Sequence, residues 1–214
     1  MTRVVLATRN AHKVDELRGI LGDVCDELGL TIVGLDEFPE APDVVEDGVT
    51  FEQNATLKAA SAAAATGLPA LADDSGISVD VLGGSPGIFS ARWSGGRGDR
   101  ANLELLLAQL GDVRDEHRGA AFVCAASLVL PDGRAATELG HFPGRVAREP
   151  AGTGGFGYDP IFVPTNQPID PQTDHRSGGG RTLAQFTPDE KNDVSHRALA
   201  FRALVPHLKE YLSP

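Results

Sequence analysis

Apolar residues along this chain follow two rhythms that alternate. Short unbroken runs, Arg3 to Ala7, Thr31 to Val33 and the run opening at Leu68, read as buried strands. Between them, Ala11 to Leu21 sets Val14, Leu17 and Leu21 on one helical face, with Asn10 as N-cap. Phe51 to Ala65, rich in Ala and free of Gly and Pro, predicts a second helix that Gly67-Leu68-Pro69 ends. Asp99 to Leu110 predicts a third, and a last helix runs from Ser195 to Leu212. Ala120 to Leu130 and Arg134 to His141 form a hairpin around Pro131-Asp132-Gly133. Strand–helix alternation predicts an α/β fold, and the hairpin makes its sheet mixed. With neither repeat nor linker, residues 1–214 read as one domain.

Composition narrows the function. The 214 residues are 41% hydrophobic and 23% charged, enough for a full core. The net charge of −11 argues against a nucleic-acid partner, since backbone affinity needs clustered cations. A small phosphorylated ligand met by a local basic pocket suits it better. No apolar run has the length of a membrane span, and the N-terminus reads straight into a strand, so a cytoplasmic protein starting at Met1 is expected. Cys25, placed in a helix-to-strand connection, and Cys124 are expected to be plain thiols.

Four segments carry candidate chemistry. LPALADDSG, Leu68 to Gly76, ends an apolar run on Asp73 and Asp74, followed by Ser75 and a flexible Gly76. Read as a strand end, it offers carboxylates for a hard cation beside a substrate; taken by itself, Asp-Asp-Ser-Gly reads first as a solvated turn, and the rest of the chain decides against that. TRNAHK, Thr8 to Lys13, brings a strand into a helix start whose free N–H groups favour phosphate. Glu46 in VVEDGVTF joins the Asp pair as a possible ligand of magnesium, which takes one or two carboxylates plus phosphate oxygens. GTGGFGYDP, Gly152 to Pro160, offers glycines for close approach, with Phe156 and Tyr158 as ring faces for a base. In KNDVSHR, Lys191 to Arg197, the cations His196 and Arg197 fall in a first helical turn, where the dipole disfavours them, which points to an acceptor-rich partner.

Together these segments resemble the inosine/xanthosine triphosphate pyrophosphatases, which remove non-standard purine nucleoside triphosphates. The resemblance spans nearly the whole chain, through VVLATRNAHKVDEL, TFEQNATLKA, LPALADDSGISVDVLGGSPGIFSARWSG, EPAGTGGFGYDPIF and TPDEKNDVSHRALA. It implies two lobes around an elongated mixed β-sheet with flanking helices, the active site in the cleft, and a homodimer. It also implies Mg2+ held by Glu46 and Asp74, with Asp74 the proton acceptor for the attacking water and Ser75 a substrate contact. Thr8, Arg9, Asn10, Ala11, His12 and Lys13 would take the triphosphate together with Lys58. Phe156, Gly157, Tyr158, Asp159, Lys191, His196 and Arg197 would take the nucleoside. The Gly-rich stretch from Asp170 to Arg181 is longer than the family pattern, and Arg9 and His12 occupy variable positions.

The substrates implied are ITP, dITP and XTP, cleaved to monophosphate and pyrophosphate. The rivals are a pyrophosphatase for altered pyrimidine triphosphates and a non-catalytic nucleotide sensor.

Overall fold

The computed structural model describes residues 2–167 and 180–213, apart from the side chains of residues 188 and 189. Most of the Asp170 to Arg181 stretch lies outside the described residues. Strand β1 (Thr2–Leu6) leads into α1 (Ala11–Leu28), which Asn10 caps by accepting the His12 N–H. Gly29, at φ 62°, closes α1 in the left-handed conformation that glycine adopts without strain. Helix α1 is two turns longer than its apolar stripe predicts, and it takes in Cys25. The connection expected around that cysteine is therefore helix.

After β2 (Leu30–Gly34), α2 (Phe51–Thr66) starts at Thr50, whose hydroxyl accepts the Gln53 N–H. Its buried face is Ala55, Ala59, Ala62 and Ala63, side chains small enough to let the helix lie close over Val5, Val33, Ala70 and Ala72.

Strand β3 (Ala70–Val79) corrects the expectation of a strand that stops at the two aspartates. It runs through Asp73-Asp74-Ser75-Gly76, because both carboxylates find partners to the side and the backbone stays extended. Gly76 is needed for room rather than for flexibility: a Cβ there would collide with the Gly87 carbonyl and Ser90 Oγ. That hydroxyl accepts the Ile77 N–H at 3.0 Å and donates to Gly87 O at 2.6 Å.

Helix α3 (Asp99–Gln109) precedes the expected hairpin of β4 (Gly119–Val129) and β5 (Ala135–Val146), closed by the bond from Leu130 N–H to Arg134 O. A short β6 (Phe162–Pro164) pairs antiparallel with β5, whereas β1 pairs parallel with β2 and β3. The sheet is thus mixed, in the order β2-β1-β3-β4-β5-β6. The single helix expected from Ser195 to Leu212 is two, α5 (His196–Ala203) and α6 (Val205–Leu212), and a short α4 (Pro188–Val194) that the sequence pattern did not predict precedes them. Thr187 and Glu190 build a capping box that starts α4. Pro206, which lacks an N–H, sits in the first turn of α6, where that loss costs little, and it ends the continuity with α5.

The chain divides into two compact units, Met1–Asp74 with Cys124–Gly140 and His196–Pro214, and Ser75–Val123 with His141–Ser195. Strands β3, β4 and β5 each contribute to both. In the first unit, Leu17, Leu21, Leu71, Leu128 and Phe201 anchor the core, and Cys124 is buried among them outside any disulfide. In the second, Ile77, Leu106, Phe122, Ile161 and Phe162 do so. Arg118 is fully buried there, and its guanidinium donates to the carbonyls of Leu110, Val146 and Ala147. Among the described residues no helix is long and apolar enough to cross a membrane.

Candidate active site

In the first unit the turn after β1 is built as a receiving loop. Thr8 Oγ1 accepts the Asn10 N–H, and Asn10 in turn caps α1, so Thr8, Asn10, Ala11 and His12 lie at a helix N-terminus. Arg9 donates to the carbonyls of Leu35 at 3.2 Å and Ala41 at 2.7 Å, tying the segment after β2 to this loop. Thr8, Arg9, Glu46, Lys58 and Ser61 share the lining of a pocket of about 290 Å3.

The two carboxylates of β3 have different partners. Asp73 is buried, and its Oδ2 accepts from Arg197 Nη2 at 2.8 Å and Nε at 3.3 Å. Lys13 Nζ stands 3.4 Å from the same oxygen, and Arg197 Nη1 donates to Glu16 at 2.6 Å. Burial alone would raise the Asp73 pKa, but Arg197 and then Lys13 more than offset it and hold the carboxyl far below its usual range. Asp74 Oδ1 accepts from Lys58 Nζ at 3.1 Å, and its Oδ2 from Asn54 Nδ2 at 3.2 Å. Here burial prevails, and the Asp74 pKa is raised although Lys58 and Asn54 pull against it. Lys58 reaches Glu46 Oε1 as well, again at 3.1 Å. Desolvation would lower the Lys58 pKa, but Asp74 and Glu46 together raise it, so the ammonium stays charged.

Arg197 therefore has a stabilising reason to stand in the first turn of α5. It is the buried counter-ion of Asp73 and Glu16, and this corrects the inference that helix electrostatics leaves the residue unexplained. His196 is buried beside it.

In the second unit, Asp159 is buried and its Oδ2 accepts from Lys191 Nζ at 2.6 Å and from the Phe156 N–H at 2.9 Å. Lys191 Nζ also lies 4.6 Å from the centroid of the Phe156 ring, which is 61% exposed. The Gly157 N–H donates to Asp99 Oδ2. Tyr158 is not a ring face for a base: it belongs to the core, and its hydroxyl donates to Ser90 O at 2.8 Å. Burial, then Asp99, raises its pKa. Ser75, half-buried, follows Asp74 along β3.

Asn54 is the residue the sequence reading passed over. Wholly buried, it accepts the Gly48 N–H at 2.9 Å through Oδ1 and donates to Asp74 through Nδ2, so it fixes the segment after Glu46 to β3. A buried amide one turn before Lys58 in an otherwise alanine face was its only signal. Glu16, an isolated carboxylate on α1, had none.

The residues fit a divalent metal in the sense magnesium requires. One cation, the Lys58 ammonium, already touches both Glu46 and Asp74, so a single positive centre can bridge the pair. Among the described residues no group of three or more His, Cys, Asp or Glu could hold a metal by itself. A magnesium ion held by that pair would take its other ligands from water and phosphate oxygens.

Breaking a buried ion pair by removing one partner leaves an uncompensated charge. Asp73→Asn is accordingly expected to lose about 3–5 kcal/mol of unfolding free energy at neutral pH, read by urea denaturation. Because the folded pKa lies below the unfolded one, the stabilisation is full above about pH 5 and fades as pH falls toward the folded value, so the two proteins should converge in acid. An undiminished difference at low pH would show that charge pairing is not its source.

A model of the Ham1 family matches residues 4–207. The dITP/XTP pyrophosphatase of Streptomyces coelicolor is 57% identical over 99% of this chain and 100% of its own length. That of Nocardia farcinica is 53% identical over 97% and 95%. Among solved structures, a HAM1 protein from Coxiella burnetii superposes with a TM-score of 0.82 at 38% identity, covering 98% of this chain and 100% of that one. The nucleoside-triphosphatase, or dITP/XTP pyrophosphatase, of Mycobacterium abscessus gives 0.74 at 48% identity, covering 96% and 100%. Since the family model matches residues 4–207, nearly the whole chain, the chain belongs to the Ham1 family.

Proposed function

We propose that the protein is a nucleoside-triphosphate pyrophosphatase that converts dITP, XTP and ITP to the monophosphate and pyrophosphate, clearing them before they enter DNA or RNA. The observation that carries this is the single pocket onto which the Thr8 loop, Glu46 and Lys58 open, with Lys58 bound to Asp74. The names of the relatives supply the substrate class.

Lys13 and Lys58 take phosphate oxygens and neutralise their charge. Mg2+, held by Glu46 and Asp74, would further neutralise the pyrophosphate leaving group when bound. Asp74 accepts a proton from water attacking the α-phosphorus in line; the new P–O bond forms as the α–β bridging bond breaks, and its electron pair leaves with pyrophosphate. Ser75 contacts the substrate next to this centre.

Phe156 stacks on the base, while Gly157, Asp159 and Lys191 hold its loop in shape. His196 and Arg197 read the 6-oxo edge, where adenine would present a donor to a donor. Because Arg197 also compensates Asp73, its alanine variant mixes recognition with stability, and exposed Phe156 is the cleaner probe. The resemblance further implies a homodimer; sedimentation at micromolar concentration is expected to show one, and a monomer would contradict it.

Pyrophosphate release should be measured with ITP, dITP, XTP, ATP, GTP and altered pyrimidine triphosphates, with and without Mg2+. Turnover of the three deaminated purines with magnesium, and strong discrimination against ATP and GTP, is expected. Equal turnover of ATP and ITP sinks the specificity, preference for altered pyrimidines favours the rival pyrophosphatase, and no turnover at all leaves a sensor. In the same panel Phe156→Ala should lower kcat/KM for every purine by a similar factor of about 5–150, because stacking ignores the 6-substituent. A loss confined to one base would remove Phe156 as a stacking platform.

A further inference from the structure

The Asp74 carboxylate is divided between two partners of very different mobility. Its Oδ2 belongs to Asn54, whose amide is wholly buried and pinned at the other end by the Gly48 N–H. A cation joining Glu46 to Asp74 is therefore left with Oδ1 of Asp74. On that oxygen sits the Lys58 ammonium, at 3.1 Å, with Glu46 Oε1 also at 3.1 Å. The ammonium thus stands at the position a bridging divalent ion needs, and two cations cannot share these oxygens at contact distance without strong repulsion. Unlike Asn54, Lys58 can leave. Its charge rides on a flexible four-carbon stem that lines the same pocket as Thr8 and Arg9.

We propose that Lys58 is the resident cation of the Glu46–Asp74 pair, surrendering those oxygens to a divalent metal only when a triphosphate offers the ammonium other anionic oxygens to move onto. Lysine then serves twice, first as counter-ion for the carboxylates and afterwards as counter-ion for the phosphates. Metal and nucleotide enter as one unit, and the carboxylates are never left bare. Metal alone meets a site already neutralised. The proposal rests on Glu46 and Asp74 being the metal ligands.

The test is Mn2+ binding to the nucleotide-free protein, followed by electron paramagnetic resonance of the free ion. Wild type, Lys58→Met, Lys58→Gln, Glu46→Gln and Lys58→Met combined with Glu46→Gln would be compared, with melting curves to identify variants that fold. Either Lys58 variant should bind Mn2+ at least ten times more tightly than wild type, and Glu46→Gln should cancel the gain. Wild type should regain tight binding in complex with a non-hydrolysable α,β-methylene dITP. A folded Lys58 variant that binds Mn2+ no more tightly than wild type overturns the proposal. If Glu46→Gln still weakens Mn2+ binding in the methylene complex, that outcome spares the metal assignment. If it has no effect there, the metal assignment falls and the proposal with it.

Discussion

Successive residues of a β-strand face opposite sides, and β3 places that alternation on two neighbouring aspartates. One carboxylate turns toward α1 and α5, where Lys13, Glu16 and Arg197 stand, and the other toward α2, where Asn54 and Lys58 stand. A turn at this point would have left both carboxylates in water with similar chemistry. The continuous strand gives them separate surroundings. Gly76 keeps the strand extended past the pair by leaving room for Ser90 and the Gly87 carbonyl, so the placement is set in the backbone.

The energetics of the two carboxylates differ. Each close contact with a cation is worth about 4–6 kcal/mol of gross attraction near a protein surface, against several kcal/mol for desolvating each ion. Asp73 has guanidinium and ammonium both in reach, stays ionised, and has little capacity left for a proton. Asp74 has one ammonium and an amide, and burial leaves it the more basic of the pair. The two neighbours thus differ in proton affinity.

Much of this was legible in the chain. The stripe of Val14, Leu17 and Leu21, the alanine face of α2 and the hairpin turn at Gly133 gave elements of the right type, because local periodicity and turn chemistry set them. The misses came where tertiary partners override local pattern. Asp-Asp-Ser-Gly has turn composition yet forms strand, since the partners that satisfy the two aspartates lie on other elements. Tyr158 sits in a glycine-rich segment that suggests exposure, but its ring completes the core formed with Phe162 and Leu183. Arg197 looked out of place at a helix start until Asp73, 124 residues away in sequence, was seen to hold it. Asn54 could not be singled out because a buried amide in a helix is marked only by what it touches.

In the proposed mechanism Asp74, and not its neighbour, carries the reaction. The most direct measurement is dITP turnover by Asp74→Asn beside its urea unfolding curve. The expected result is a loss of about 10²–10⁴ in kcat, the usual contribution of a general base, with an unfolding free energy close to that of wild type. Turnover near the wild-type rate in a protein that unfolds normally would contradict it.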